Sequence, residues 1–150
     1  MDGEARLPGA VLFCCTNNSV RSPMAEGLLK FLLGHRIYVD SCGLRSEPVD
    51  PFAVEAMEEL GIDIARHRAK TFDDLEDSSY DLIVSLSPEA QHRAVELTRT
   101  MACDVEFWPT FDATVAEGTR EQRLSAYRQV RDMLKRRIES RFALDLKPQV

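Results

Sequence analysis

One stretch near the start of the chain, Cys15-Thr16-Asn17-Asn18-Ser19-Val20-Arg21-Ser22-Pro23, puts a nucleophile and a cation at a spacing that suits oxyanion chemistry. A loop between a strand and a helix can turn several backbone N–H groups inward, making an anion cradle assisted by the helix dipole. An arginine closing such a loop, here Arg21, can grip two oxygens of a tetrahedral oxyanion at once. A cysteine opening it, here Cys15, sits in a positive field and is thereby favoured as a thiolate nucleophile. A Cys-x5-Arg spacing is short, so its meaning depends on what stands on either side of it. The bland alternative makes Cys15 a small strand hydrophobe and Arg21 a solvated helix-start residue.

The flanking elements favour the chemical reading. Residues 9–15 (GAVLFCC) read as a buried strand, and 22–33 as a helix with Ser22 as its N-cap and Pro23 in its first turn. Further strands are expected over 37–41, 81–86 and 105–108. Helices are expected from Asp50-Pro51 to a stop at Gly61, from Ser87-Pro88-Glu89 to about Met101, and along Leu124, Tyr127, Val130, Leu134 and Ile138. On that last helix Arg128, Arg131, Arg136, Arg137 and Arg141 read as a solvated face. This alternation predicts an α/β domain whose four-stranded parallel sheet is covered by helices on both faces, a doubly wound, flavodoxin-like arrangement. In such sheets ligands bind at the carboxyl ends of the strands, where the Cys15–Arg21 loop falls.

Composition bounds the partners. The 150 residues are 44% apolar and 29% charged, ordinary for one domain. A net charge of −6 argues against a nucleic-acid binder but leaves room for a local anion pocket. No apolar run suits a membrane span, and residues 1–8 lack the apolar core of a signal peptide, so a cytoplasmic protein is expected. Cys14, Cys15, Cys42 and Cys103 with His35, His67 and His92 show no metal-ligand spacing, and neither a metal nor a cofactor is expected.

The segment VLFCCTNNSVRSPMAEGLL resembles the signature of the low-molecular-weight protein tyrosine phosphatases and the arsenate reductases related to them. The likeness continues through Asp40-Ser41-Cys42-Gly43, GIDIARHRAK and DLIVSL to an aspartate loop before the last helix. It implies hydrolysis of a phosphate monoester, such as protein phosphotyrosine, through a cysteinyl-phosphate on Cys15. The amides of Thr16, Asn17, Asn18, Ser19, Val20 and Arg21 would hold the oxyanion, with Arg21 as clamp. Asn18 would fix the loop's turn through Ser41, and Ser22 would donate its hydroxyl to the Cys15 sulfur. Asp112 would be the general acid, although Ala113 stands where the family usually has proline. Asp104 is a weaker candidate at the wrong end of its strand.

Other departures bear on the substrate. No aromatic residue follows Asp112, and Trp108 and Phe111 serve equally well as core or as a substrate wall. The Cys-Thr-x-Asn-Ser opening is nearer the arsenate reductase branch, yet residues 86–91 carry no cysteine and Val20 replaces a loop cysteine. An internal disulfide relay is therefore not expected, while arsenate reduction with an external thiol stays open, as does a module that only binds phosphate or a phosphoprotein. Cys14 reads as a buried structural thiol, Cys42 as inert or as a reversible disulfide partner of Cys15, and His67 and His92 as surface or cap residues. A catalytic domain is expected over 9–143, between a flexible segment 1–8 and a tail 144–150.

Overall fold

Four short apolar runs pair into one parallel sheet in the computed structural model, which describes residues 7–76 and 79–142. The strands are β1 (Ala10–Cys15), β2 (Tyr38–Gly43), β3 (Leu82–Ser85) and β4 (Asp104–Phe107), in the order β2-β1-β3-β4. β2 runs two residues beyond the predicted Ser41 because its ladder with β1 continues until Cys15 faces Gly43. The expected tail 144–150 and most of segment 1–8 lie outside the described residues.

Helices α1 (Arg21–Leu33), α2 (Pro51–Glu58), α3 (Pro88–Leu97) and α4 (Arg120–Arg141) cover the sheet. Alternation along β1 divides the core. Val11, Phe13 and Cys15 join the apolar residues of α1, α2 and α4, whereas Leu12 and Cys14 join Ala90 and Ala94 of α3. Leu28, Leu29, Leu124 and Leu134 are essentially withdrawn from water, each contributing about 1.5–3 kcal/mol. Trp108 is buried and packs edge-on against Phe13, so it belongs to the core, while Phe111 is 48% exposed.

Two helices start as the sequence predicts: Asp50 accepts from the Phe52 N–H ahead of α2, and Ser87 accepts from the Ala90 N–H ahead of α3. Ahead of α4, Thr119 forms a reciprocal capping box with Gln122. α2 closes just before Gly61, whose φ of +77° suits the turn. α3 stops at Leu97, short of Met101, because the Thr98, Arg99 and Thr100 amides bond three residues back and tighten the last turn. α1 starts differently from expectation: Val20 precedes it without a side-chain cap, and Ser22 lies inside the first turn with its hydroxyl occupied elsewhere.

The arginine face of α4 is also less solvated than predicted. Arg131 is 8% exposed and donates to the Ala56 carbonyl at the end of α2 (2.8 Å) and to Glu59 (2.7 Å). Arg128 grips the same carboxylate. Hydrogen bonds from the two arginines hold the Glu59 carboxyl down to about 2. Arg137 lies over the Trp108 ring, and Arg141 donates to Glu106.

Candidate active site

The loop between β1 and α1 is shaped by the segment that follows β2. The N–H groups of Leu44, Arg45, Glu47 and Asp50 bond the carbonyls of Cys15, Thr16, Asn17 and Ser19. Four of the loop's carbonyls are thereby turned against residues 44–50 and held there. Gly43 permits this packing: a Cβ there would lie 2.7 Å from the Asn18 nitrogen and 3.0 Å from the Thr16 carbonyl oxygen. Asn18 takes a φ of +53°, the only left-handed non-glycine among the described residues.

Asn18 is fully buried, and its amide ties the loop to three elements. Nδ2 donates to Ser22 Oγ (2.8 Å) and Ser41 Oγ (3.0 Å). Oδ1 accepts from the Lys70 N–H (3.0 Å) and lies 2.9 Å from His67 Nε2. Ser41 donates to Glu26 Oε1 (2.6 Å), so it is the acceptor in its bond with Asn18. Ser22, receiving the Asn18 N–H, keeps its own proton to donate, with Cys15 Sγ at 2.9 Å and the Cys42 carbonyl at 3.4 Å. A hydroxyl so placed can hydrogen-bond the sulfur during attack and again when it departs as a leaving group.

Cys15 is 2% exposed and borders a cleft of about 200 Å³. Asn17, Ser19, Val20 and Arg21 of the loop line it, with Glu47, Asp50, Asp112 and Thr114 opposite. Arg21 donates to the Thr110 carbonyl (2.9 Å), which links the loop to the segment beyond β4. That segment is carried over the site because the Trp108 and Thr110 amides extend the β4 ladder to the Ser85 and Leu86 carbonyls. Asp112 Oδ1 accepts from the Thr114 N–H (3.0 Å) and hydroxyl (2.6 Å), which aims the carboxyl in a fixed direction. Neither Trp108 nor Phe111 is among the residues lining the cleft. A thiol, a guanidinium and a carboxyl around one oxyanion-sized cleft can support nucleophilic attack on a tetrahedral oxyanion with protonation of the departing oxygen.

The other thiols lie away from this cleft. Cys14 faces Cys42 across the β1–β2 ladder, and both belong to the core on the α3 side of the sheet. Of the two readings of Cys42, this favours the inert one over a disulfide with Cys15, since alternation along β2 turns the Cys42 side chain to the opposite face. Burial pushes both thiols up, helped at Cys14 by Cys42 and at Cys42 by Asp40. Cys103 precedes β4 at the amino edge of the sheet, and burial raises it too.

His67, read from sequence as a surface or cap residue, instead braces Asn18, with Nδ1 3.7 Å from Glu26. Burial depresses its basicity, only partly offset by Glu26. Lys70 bonds Asp40 at 2.8 Å, an attraction that outweighs burial and raises it. Glu26, Lys70, Thr110 and Glu47 are likewise absent from the sequence-based site, and Asp50 enters the sequence reading only as a helix start. Glu26 had one legible signal: it follows Ser22 by four residues on α1, with Lys30 four further on, and the Lys30–Glu26 pair spans 2.5 Å.

Comparison with known proteins places this arrangement. Residues 10–149 match the family described as low molecular weight phosphotyrosine protein phosphatase. The chain is 37% identical over 132 residues to an arsenate reductase of Halalkalibacterium halodurans, covering 87% of this chain and 92% of that one. It is 35% identical over 139 residues to the glutaredoxin arsenate reductase of Synechocystis, covering 89% and 95%. A solved arsenate reductase in the phosphate-binding state superposes with a TM-score of 0.66 at 34% identity, covering 89% of this chain and 96% of that one.

Proposed function

The chain belongs to the low molecular weight phosphotyrosine protein phosphatase family, and from that premise we propose that it reduces arsenate on Cys15 with electrons from an external thiol. The observation that carries this reading is the placement of the four thiols. Cys15 alone borders the cleft, while Cys14 and Cys42 lie buried together on the other face of the sheet. The names of the relatives favour arsenate as substrate, and the Synechocystis name couples the activity to glutaredoxin.

The Cys15 thiolate bonds to arsenic(V), and one arsenate oxygen leaves as water after protonation, a proton we assign to Asp112. A thiolate then attacks Cys15 Sγ, forming an S–S bond. The S–As electron pair stays on arsenic, which departs as arsenite. A second thiol attacks the mixed disulfide, frees Cys15 and leaves as the oxidised disulfide. The loop amides and Arg21 hold the oxyanion during the first step.

A second reading, hydrolysis of a phosphate monoester, is favoured by Asp112 sharing the cleft with Cys15 and Arg21. Arsenite production and p-nitrophenyl phosphate hydrolysis, assayed with glutathione plus glutaredoxin present, separate the two. The reductase reading predicts arsenite formation that Cys15→Ser abolishes and that the combined Cys14→Ala, Cys42→Ala, Cys103→Ser variant retains. Efficient ester hydrolysis without arsenite overturns it in favour of the second.

A further inference from the structure

A second groove of about 400 Å³ adjoins the cleft and shares Asp50 with it. Pro51, Phe52 and Glu55 of α2 form one side, and Arg120 and Arg123 from the first turn of α4 form the other. Both guanidiniums lie over the Phe52 ring, at 5.5 Å for Arg120 and 4.9 Å for Arg123. Arg120 is ion-paired with Glu55. Arg123 forms no ion pair among the described residues, and it is exposed. Phe52 is itself seated on Tyr127, ring centroids 5.2 Å apart, and Tyr127 donates to Asp50. Arg123 is therefore a cation without an ion pair among the described residues, held by an aromatic ring at the amino end of a 22-residue helix, in a groove that Asp50 and Glu55 also line.

We propose that this groove docks the external reductant, a small thiol bearing a carboxylate, with Arg123 binding the carboxylate while the thiol enters the cleft. The inference rests on the reductase reading, which needs a thiol from outside. Arsenate itself is too small to use a groove beyond the loop, and a volume of about 400 Å³ is within the range of small-molecule sites, whose few polar groups fix orientation. A carboxylate fits at Arg123 because, among the described residues, Glu55 is paired with Arg120, Asp50 accepts from Tyr127, and neither is ion-paired to Arg123. The step served is the one that balances the reduction: thiolate attack on Cys15 Sγ, with arsenite leaving, followed by a second thiol that releases Cys15 and the oxidised disulfide. Arg123 is a binding residue in this scheme and takes no part in bond making.

The test compares glutathione, which carries carboxylates, with neutral 2-mercaptoethanol as sole reductant in arsenite formation. Arg123→Gln is expected to raise the KM for glutathione about fivefold and to leave kcat and the 2-mercaptoethanol rates unchanged, with Arg123→Lys restoring most of the affinity. Added salt should raise the wild-type KM for glutathione more than that for 2-mercaptoethanol. Equal effects on the two thiols, or none, overturn the groove as the docking site. Arsenite formation that requires a thiol protein and ignores Arg123 overturns it in favour of a macromolecular reductant. Absence of arsenite with every thiol, alongside ester hydrolysis, overturns the reductase reading and this inference with it.

Discussion

At the scale of single residues, the site depends on one amide. Asn18 supplies the left-handed turn and, with its two ends, separates donors from acceptors: its N–H groups go to Ser22 and Ser41, its oxygen to His67 and Lys70. Because Oδ1 can only accept, His67 must hold its proton on Nε2, which leaves Nδ1 towards Glu26. Both contacts favour the protonated ring, but burial outweighs them and lowers its proton affinity. The unfolded chain therefore binds a proton at His67 more readily than the folded one. Stability from this residue is full above the ordinary histidine value, about 6.5, and is lost as pH falls below it. Thermal melts at about pH 7 and pH 5.5 check this: wild type should lose more stability across the interval than His67→Gln. Equal losses would mean that His67 titrates alike in both states.

At the scale of elements, what holds α2 to α4 is polar as well as apolar. Arg131 fills the gap between the helices, satisfying the Ala56 carbonyl and Glu59 from a nearly closed position. Arg131→Ala leaves that carbonyl without its guanidinium and should cost about 2–3 kcal/mol in urea unfolding, whereas Arg136→Ala, on the exposed side, should stay within about 0.5 kcal/mol. The amino-acid pattern discloses the helix but not this division. Leu124, Tyr127, Val130, Leu134 and Ile138 mark the buried stripe by their spacing, and an arginine beside the stripe looks like any solvated arginine until its partner arrives from α2. The same limit applies to the site. The Cys15–Ser22 run is contiguous and hence legible, and Asp112 was found only through the resemblance. His67, Lys70 and Glu26 act on Asn18 through bonds spanning up to 52 positions, which no local pattern encodes. The two readings of Cys42 stay open in the sequence for a simple reason: a β2 predicted to end at Ser41 gives no alternation with which to orient its side chain.

At the scale of the molecule, all four strands are parallel, so their carboxyl ends lie on one edge of the sheet and each contributes to the site. β1 delivers Cys15, β2 leads into the segment that bonds the loop carbonyls, β3 leads to Ser87, which accepts from the Thr16 hydroxyl at 3.0 Å, and β4 leads to Thr110 and Asp112. An oxyanion bound at this edge favours the folded state alone. Phosphate at a hundred times its Kd should add about 2.7 kcal/mol, which for a domain of this size is a rise in Tm of roughly 5–10 °C. Arg21→Ala should sharply reduce the rise without greatly lowering the Tm of the free protein, measured by calorimetry across a phosphate series.

Gly43 contributes to that edge by what it lacks. The loop rests on its bare Cα, so the second strand acts as the wall of a mould against which the anion cradle is cast. The curvature of a site opened by Cys15 is thus set by a residue that never meets the ligand. Residues within the loop can be exchanged to alter what the cradle prefers, but a single methyl group at position 43 would press on the Asn18 nitrogen and change the shape of the cast for every ligand alike.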